Sequence, residues 1–188
     1  MKRGILLLIA FAALAWPVVF TVRASRSSDE QAAPVYGIKI PAGYRDWKLI
    51  SVARVGGQQN DLRAKLGNAV AIKAYREGKA QFPDGTIIAR LAWKQTTSEE
   101  NNKAVRVVAE KGSNSPVVQS LLADSFIAGP PTNVQFMVKD SKKYATTGGW
   151  GFAQFTNGKP DGEAVHKTCF SCHEPAKDRD FVFTRYAP

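Results

Sequence analysis

The stretch from Pro83 to Gln95, PDGTIIARLAWKQ, decides the reading of the fold. Pro83-Asp84-Gly85 is a turn, and Thr86 to Gln95 follows it as a strand rich in β-branched and aromatic residues. Successive side chains of a strand point to opposite faces, so Ile87, Ala89, Leu91 and Trp93 share one side. Thr86, Ile88, Arg90, Ala92 and Lys94 share the other, which puts a guanidinium on a face that looks towards a core or a bound group.

Working outward, Tyr44 to Val55 (YRDWKLISVARV) alternates in the same way until Gly56 and Gly57 break it. Lys103 to Glu110 (KAVRVVAE), Asn133 to Val138 (NVQFMV) and Trp150 to Phe155 (WGFAQF) read as three more strands. Pro130-Pro131 punctuates the chain before the second of these, and Asn157-Gly158-Lys159-Pro160 turns out of the third. Asn68 to Lys79 (NAVAIKAYREGK) opens on an N-cap and ends at Gly78, which predicts a helix; Asp140 to Ala145 suggests a short one. Val117 to Ala123 reads as a short segment of undecided type. Strands on short connections with helices inserted irregularly imply an α+β fold, mainly an antiparallel β-sheet with a few short helices. No internal repeat is visible.

The chain has 188 residues, 44% hydrophobic and 22% charged, which excludes wholesale disorder. Its net charge of +10 looks like a nucleic-acid signature, but Lys2, Arg3, Arg23 and Arg26 lie in an acid-free start. The 22 bases and 16 acids from Asp29 onward leave +6, scattered and without a basic stripe, so no nucleic-acid partner is expected. Gly4 to Val22 carries no charge and follows Met1-Lys2-Arg3, the pattern of an export signal. Residues 1–24 are therefore expected to be a signal peptide or an N-terminal membrane anchor, with Pro17 and the small residues near Ala24 favouring cleavage. Residues 25–43 read as a linker, 44–188 as the functional domain, and the compartment as periplasmic.

The chemistry is concentrated at Cys169-Phe170-Ser171-Cys172-His173, the C-x-x-C-H signature of covalent haem attachment. Two thiols three residues apart on a helical turn face one way and can add to the two vinyl groups, and the next histidine reaches the iron. Asp161 to Lys167 offers the helix that leads in, making a C-terminal haem-attachment helix. Cys169 and Cys172 are thus expected to hold one haem c, with His173 as metal ligand. Three rivals stand beside this. A thioredoxin-like pair belongs after an early strand, not 17 residues from the end. A zinc site would draw His166, Cys169, Cys172 and His173 from eight consecutive residues, which is poor geometry. A plain disulfide is the third.

Function then turns on the position opposite His173. Apart from Met1 the only methionine is Met137, on an apolar strand where a core role is ordinary, and the only other histidine is His166, just before the motif. Neither is expected across the ring. The iron is therefore expected to be five-coordinate or water-ligated. For His166 itself a solvated surface position is the plain expectation and a neighbouring acid–base role the functional one.

Together with C-x-x-C-H at the extreme C-terminus, Tyr44-Arg45-Asp46-Trp47, Phe82-Pro83-Asp84-Gly85-Thr86, Val138-Lys139-Asp140-Ser141-Lys142 and Phe181-Val182-Phe183-Thr184-Arg185 resemble, in order, the cytochrome P460 and cytochrome c′-β family. The resemblance spans Tyr44 to Pro188. It implies a largely antiparallel sheet, a homodimer, one haem c, and a distal site that takes nitric oxide or, in P460 members, oxidises hydroxylamine and nitric oxide; a partner cytochrome would carry electrons. P460 members join a lysine to the porphyrin from the strand after the Asp-Gly-Thr turn. That position matches Arg90, a poor nucleophile that stays charged, so no cross-link is expected there. Lys94 on the same face is about 13 Å further along the strand. Arg90 is instead expected at a haem propionate or in the pocket, Arg63 as a distal arginine or a solvated residue at a helix start, and Phe82 as a distal cap or a core residue. The alternatives in function are an oxidoreductase and a simple electron carrier.

Overall fold

A computed structural model describes Ala33 and residues 35–111, 115–118, 120 and 125–187. The expected export segment at 1–24 lies outside the described residues, as does most of Val117 to Ala123. Among the described residues no helix is long and apolar enough to cross a membrane.

Six strands form one antiparallel sheet in sequence order: β1 (Lys48–Val55), β2 (Asp61–Gly67), β3 (Ile87–Thr96), β4 (Ile127–Lys139), β5 (Trp150–Thr156) and β6 (Lys159–Pro160). Helices α1 (Ala69–Arg76), α2 (Glu99–Glu110) and α3 (Glu163–His173) are inserted between strands or follow them. This is the α+β architecture expected from the sequence.

β3 separates its two faces as its alternation predicts. Ala89 and Leu91 join Phe136 and Phe155 in one core, covered by the segment that contains Ala33, Ile38 and Tyr44. Ile88 belongs to a second core with Phe152 and Trp150, covered by α1 and by Val182 of the C-terminal tail. The tail is strapped across that face: Ala187 N–H donates to Ile50 O at 2.9 Å, and the Tyr75 hydroxyl donates to Thr184 O. Asn68 caps α1 as expected, its Oδ1 accepting from Ala71 N–H at 2.9 Å. The same oxygen accepts from Ile87 N–H, and Nδ2 donates to Gly85 O, so the cap also fixes the turn that launches β3.

Three local expectations are corrected. Lys103 to Glu110 is not a strand but the end of α2, which Ser98 starts by accepting from Asn101 N–H, with Glu99 and Glu100 in the first turn. Three β-branched valines suggested a strand, but Ala104, Val105, Val107 and Val108 also recur at helical spacing. Pro130-Pro131 lies inside β4 rather than before it. A proline cannot donate to a ladder, and there the register against β3 slips between Ala92 and Gln95, while β5 pairs only from Val134 onward. Asp61–Gly67, assigned no element from the sequence, is strand β2 and carries Arg63. Asp140 to Ala145 forms turns that lead into a 3-10 turn at Ala145–Thr147.

Candidate haem site

On the second face of the sheet, Lys65 of β2 pairs with Arg90 of β3, Arg90 with Gln135 of β4, and Gln135 with Gln154 of β5. Paired residues of an antiparallel sheet point to the same side, so these four form one polar row across four strands. The row borders a cavity of about 700 Å³. Arg63, Met137 and Phe152 line it from the sheet, Cys169, Cys172 and His173 from α3, and Phe183 to Arg185 from the tail. No aspartate or glutamate lines it among the described residues.

α3 delivers the motif. It leaves β5 and β6 at Gly162, and His166 locks its first turn: the ring is fully buried, Nδ1–H donates to Gly162 O and Nε2 accepts from Gln154 N–H at 2.9 Å. His166 is therefore neither a surface residue nor a site residue. Its two nitrogens are occupied, so the zinc arrangement of His166 with Cys169, Cys172 and His173 is not assembled. Cys169 is half-buried and Cys172 exposed, and the two are not joined to each other. Burial, then the Cys172 thiol, pushes the Cys169 thiol up, while the Arg90 charge pulls it down.

His173 ends the helix, its ring 5.0 Å from that of Phe152 and 5.4 Å from that of Phe183. Nδ1–H donates to Phe181 O at 2.8 Å, which fixes the tautomer and leaves the Nε2 lone pair for a metal. Burial holds the imidazole below its ordinary range; the Phe181 carbonyl works against that, and Arg90 adds to it.

The cationic wall fits an anionic partner. Arg90 donates from Nη2 to Asn133 Oδ1, but its Nε is buried and has no partner among the described residues. Burial, then the Arg63 charge, pushes the guanidinium down to about 10. Lys65 is likewise lowered by burial and then by Arg63 and Arg90. Arg63 is already paired with Asp61, Nε to Oδ1 at 2.9 Å and Nη2 to Oδ2 at 3.1 Å. A carboxylate placed at Arg90 would satisfy the orphaned Nε and relieve the like charges. The residues thus fit a porphyrin: two thiols and an imidazole on one helix, and a guanidinium whose Nε is left to meet a propionate.

The Cytochrome P460 family matches this chain over residues 41–184. The chain belongs to the cytochrome P460 family. Membership makes it a c-type haem protein. A search of the curated proteins found no match.

Of the residues singled out by sequence, the cytochrome P460 fold brings Arg63, Arg90, Cys169, Cys172 and His173 onto the one cavity. It places Phe82 elsewhere, in the second core, its ring 4.9 Å from Tyr75 and 5.8 Å from Trp150. Lys94 is exposed and donates to Gln59 O. Sequence reasoning missed Lys65, Gln135 and Gln154. Alternation within Asp61 to Lys65, with Leu62 and Ala64 on the other side, was the signal for Lys65. The glutamines carry none, because only strand pairing aligns them.

Proposed function

We propose that the protein is an exported mono-haem cytochrome in which Cys169 and Cys172 carry the haem, His173 ligates the iron, and the opposite side is open or water-bound and takes nitric oxide. Bound there, the haem would supply an iron that coordinates small ligands and exchanges electrons. One observation carries this: the cavity offers no histidine besides His173, since His166 spends both nitrogens on Gln154 and Gly162. Met137 does border the cavity, but it is the cross-strand partner of Phe152, against which the His173 ring lies. It shares the wall of His173, whereas a sixth ligand must come from across the ring. Arg90 and Arg63 would hold propionates or an iron-bound ligand, and Gln135 would offer a neutral polar contact. The lack of a carboxylate on the described walls favours binding over proton-transfer chemistry. A periplasmic location and a homodimer belong to the same proposal.

Absorption spectra of the ferric and ferrous protein, with and without nitric oxide and carbon monoxide, test it. High-spin bands that shift with either gas are expected; low-spin bands indifferent to both would overturn it in favour of an electron carrier.

One observation favours a second reading, hydroxylamine or nitric oxide oxidation. Lys65 stands opposite Arg90 on the cavity wall, and burial with two neighbouring cations weakens its hold on a proton. On this second reading it would be the amine that takes the role of the porphyrin-linked lysine. A red-shifted ferrous Soret band that survives denaturation and disappears in Lys65→Met would establish that reading.

A further inference from the structure

Next to Phe181, whose carbonyl bonds His173, lies a buried ion pair that the proposed ligand chemistry does not use. Lys139, at the end of β4, and Asp180, just beyond the 3-10 turn Glu174–Arg179, are only 7% and 3% exposed. Lys139 Nζ donates to Asp180 Oδ1 at 2.6 Å and to Gly148 O at 3.1 Å, and sits 5.0 Å above the Trp150 ring. The other carboxylate oxygen of Asp180 accepts from Phe82 N–H at 2.8 Å. One side chain therefore ties together the end of β4, the turn before β3 and the approach to the tail.

What this anchor holds is unusual backbone. Asp180 and Phe181 have φ of 50° and 62°, two consecutive residues with side chains in the left-handed region. Such a conformation persists only where its surroundings over-determine it. The Phe181 ring is held too: a Cβ on Gly148 would stand 2.1 Å from it, so this ring fits only against a glycine. From this turn the Phe181 carbonyl accepts the His173 Nδ1–H. A carbonyl that accepts from a ligating histidine fixes the ring and raises the basicity of the other nitrogen.

We propose that the Lys139–Asp180 pair is a positioning device for the proximal ligand: it holds the Asp180–Phe181 turn so that the Phe181 carbonyl stays on His173 Nδ1–H, and thereby sets how strongly Nε2 donates to iron. The proposal rests on the reading of His173 as the iron ligand. Neither residue touches the cavity, so the pair acts through the turn alone.

The test uses the full chain matured with haem, and reads the ferrous iron–histidine stretching band by resonance Raman together with the midpoint potential. Lys139→Met should move the band to lower frequency and raise the potential, because a loosened carbonyl leaves a less basic imidazole. Lys139→Arg should restore part of both shifts. Asp180→Asn is isosteric and keeps an acceptor for Phe82 N–H, so it decides the matter if Lys139→Met fails to accumulate. Leu91→Ala, which empties a site in the first core without touching α3 or the turn, should leave the band in place. An unmoved band and potential in folded Asp180→Asn overturn the proposal, as does an equal shift in Leu91→Ala. Absence of any iron–histidine band in the unaltered protein overturns instead the assignment of His173, and this inference falls with it.

Discussion

Lys65 on β2 stands directly opposite Arg90 on β3, with both side chains on the cavity face of the sheet. Like charges in that relation disfavour the fold unless an anion lies between or beside them. Arg90, held down to about 10, is still a cation at neutral pH. Its charge favours the more electron-rich state of anything bound in the cavity. A unit charge about 10 Å away is worth about 1.7 kcal/mol at an effective dielectric of about 20, and a one-electron potential moves about 59 mV for each 1.4 kcal/mol. Arg90→Gln should therefore lower the midpoint potential by several tens of millivolts, on the order set by those two figures. A potentiometric titration checks it, and an unchanged potential would remove Arg90 from the surroundings of the iron.

Phe82 packs edge-on against Tyr75 and Trp150 in the second core and is not among the residues that line the cavity. Phe82→Ala should cost about 3–5 kcal/mol of stability, the usual penalty for emptying a buried aromatic site. Denaturant unfolding measures that loss. Nitric oxide or carbon monoxide affinity should be unchanged in the folded variant. A small stability loss with a large change in affinity would return Phe82 to the distal side.

These two residues show what the sequence could and could not deliver. Alternation in β3 is clean, so Arg90 was placed on the correct face from sequence alone. The C-x-x-C-H spacing carries its chemistry locally, which is why α3 was legible. Phe82 was ambiguous because neighbours distant in sequence decide where a phenylalanine packs. β2 escaped because its polar side, Asp61, Arg63 and Lys65, resembles a solvated approach until a sheet lies under it. α2 escaped for the opposite reason, as its valines favour strands, while their helical spacing, the Ser98 start and the acidic first turn argue otherwise. The Lys65 to Gln154 row spans residues 65, 90, 135 and 154, and no local pattern encodes it.

Asp84, in the turn before β3, accepts from Ser141 N–H at 2.8 Å and from the Ser141 hydroxyl at 2.7 Å. The hydroxyl bond first, then the backbone bond, holds its carboxyl below the usual carboxylate range. The group binds protons more readily unfolded than folded, so its contribution is complete above the unfolded pKa of about 3.9. It is lost as the pH falls through the lower folded value. Asp84→Asn should lower stability near pH 7, where the ionised carboxylate contributes, and flatten the acid limb in that window, so that the two proteins converge as the pH falls. Urea midpoints recorded from pH 7 down to pH 3 check this; parallel profiles for the two proteins would show that the turn is not acid-sensitive through Asp84.

His166 is the last residue whose role the fold redefines. Nothing solvates the ring, and both nitrogens are committed, one to the Gly162 carbonyl and one to the Gln154 N–H. The donor on Gln154 belongs to β5, so this bond seats the haem-bearing helix on the sheet. His166→Ala leaves that donor without its acceptor, at about 1–3 kcal/mol, and opens a void; the sum should be on the order of 2–4 kcal/mol. His166→Phe fills the void but cannot accept, so it should recover only the packing share. Covalent haem content by mass spectrometry should be retained in whatever folds, since His166 contacts neither thiol-bearing residue through a hydrogen bond. Full stability in His166→Phe would mean that volume alone matters and that the Gln154 bond contributes nothing; a loss intermediate between the two proteins is the outcome that assigns the seat of α3 to this one hydrogen bond.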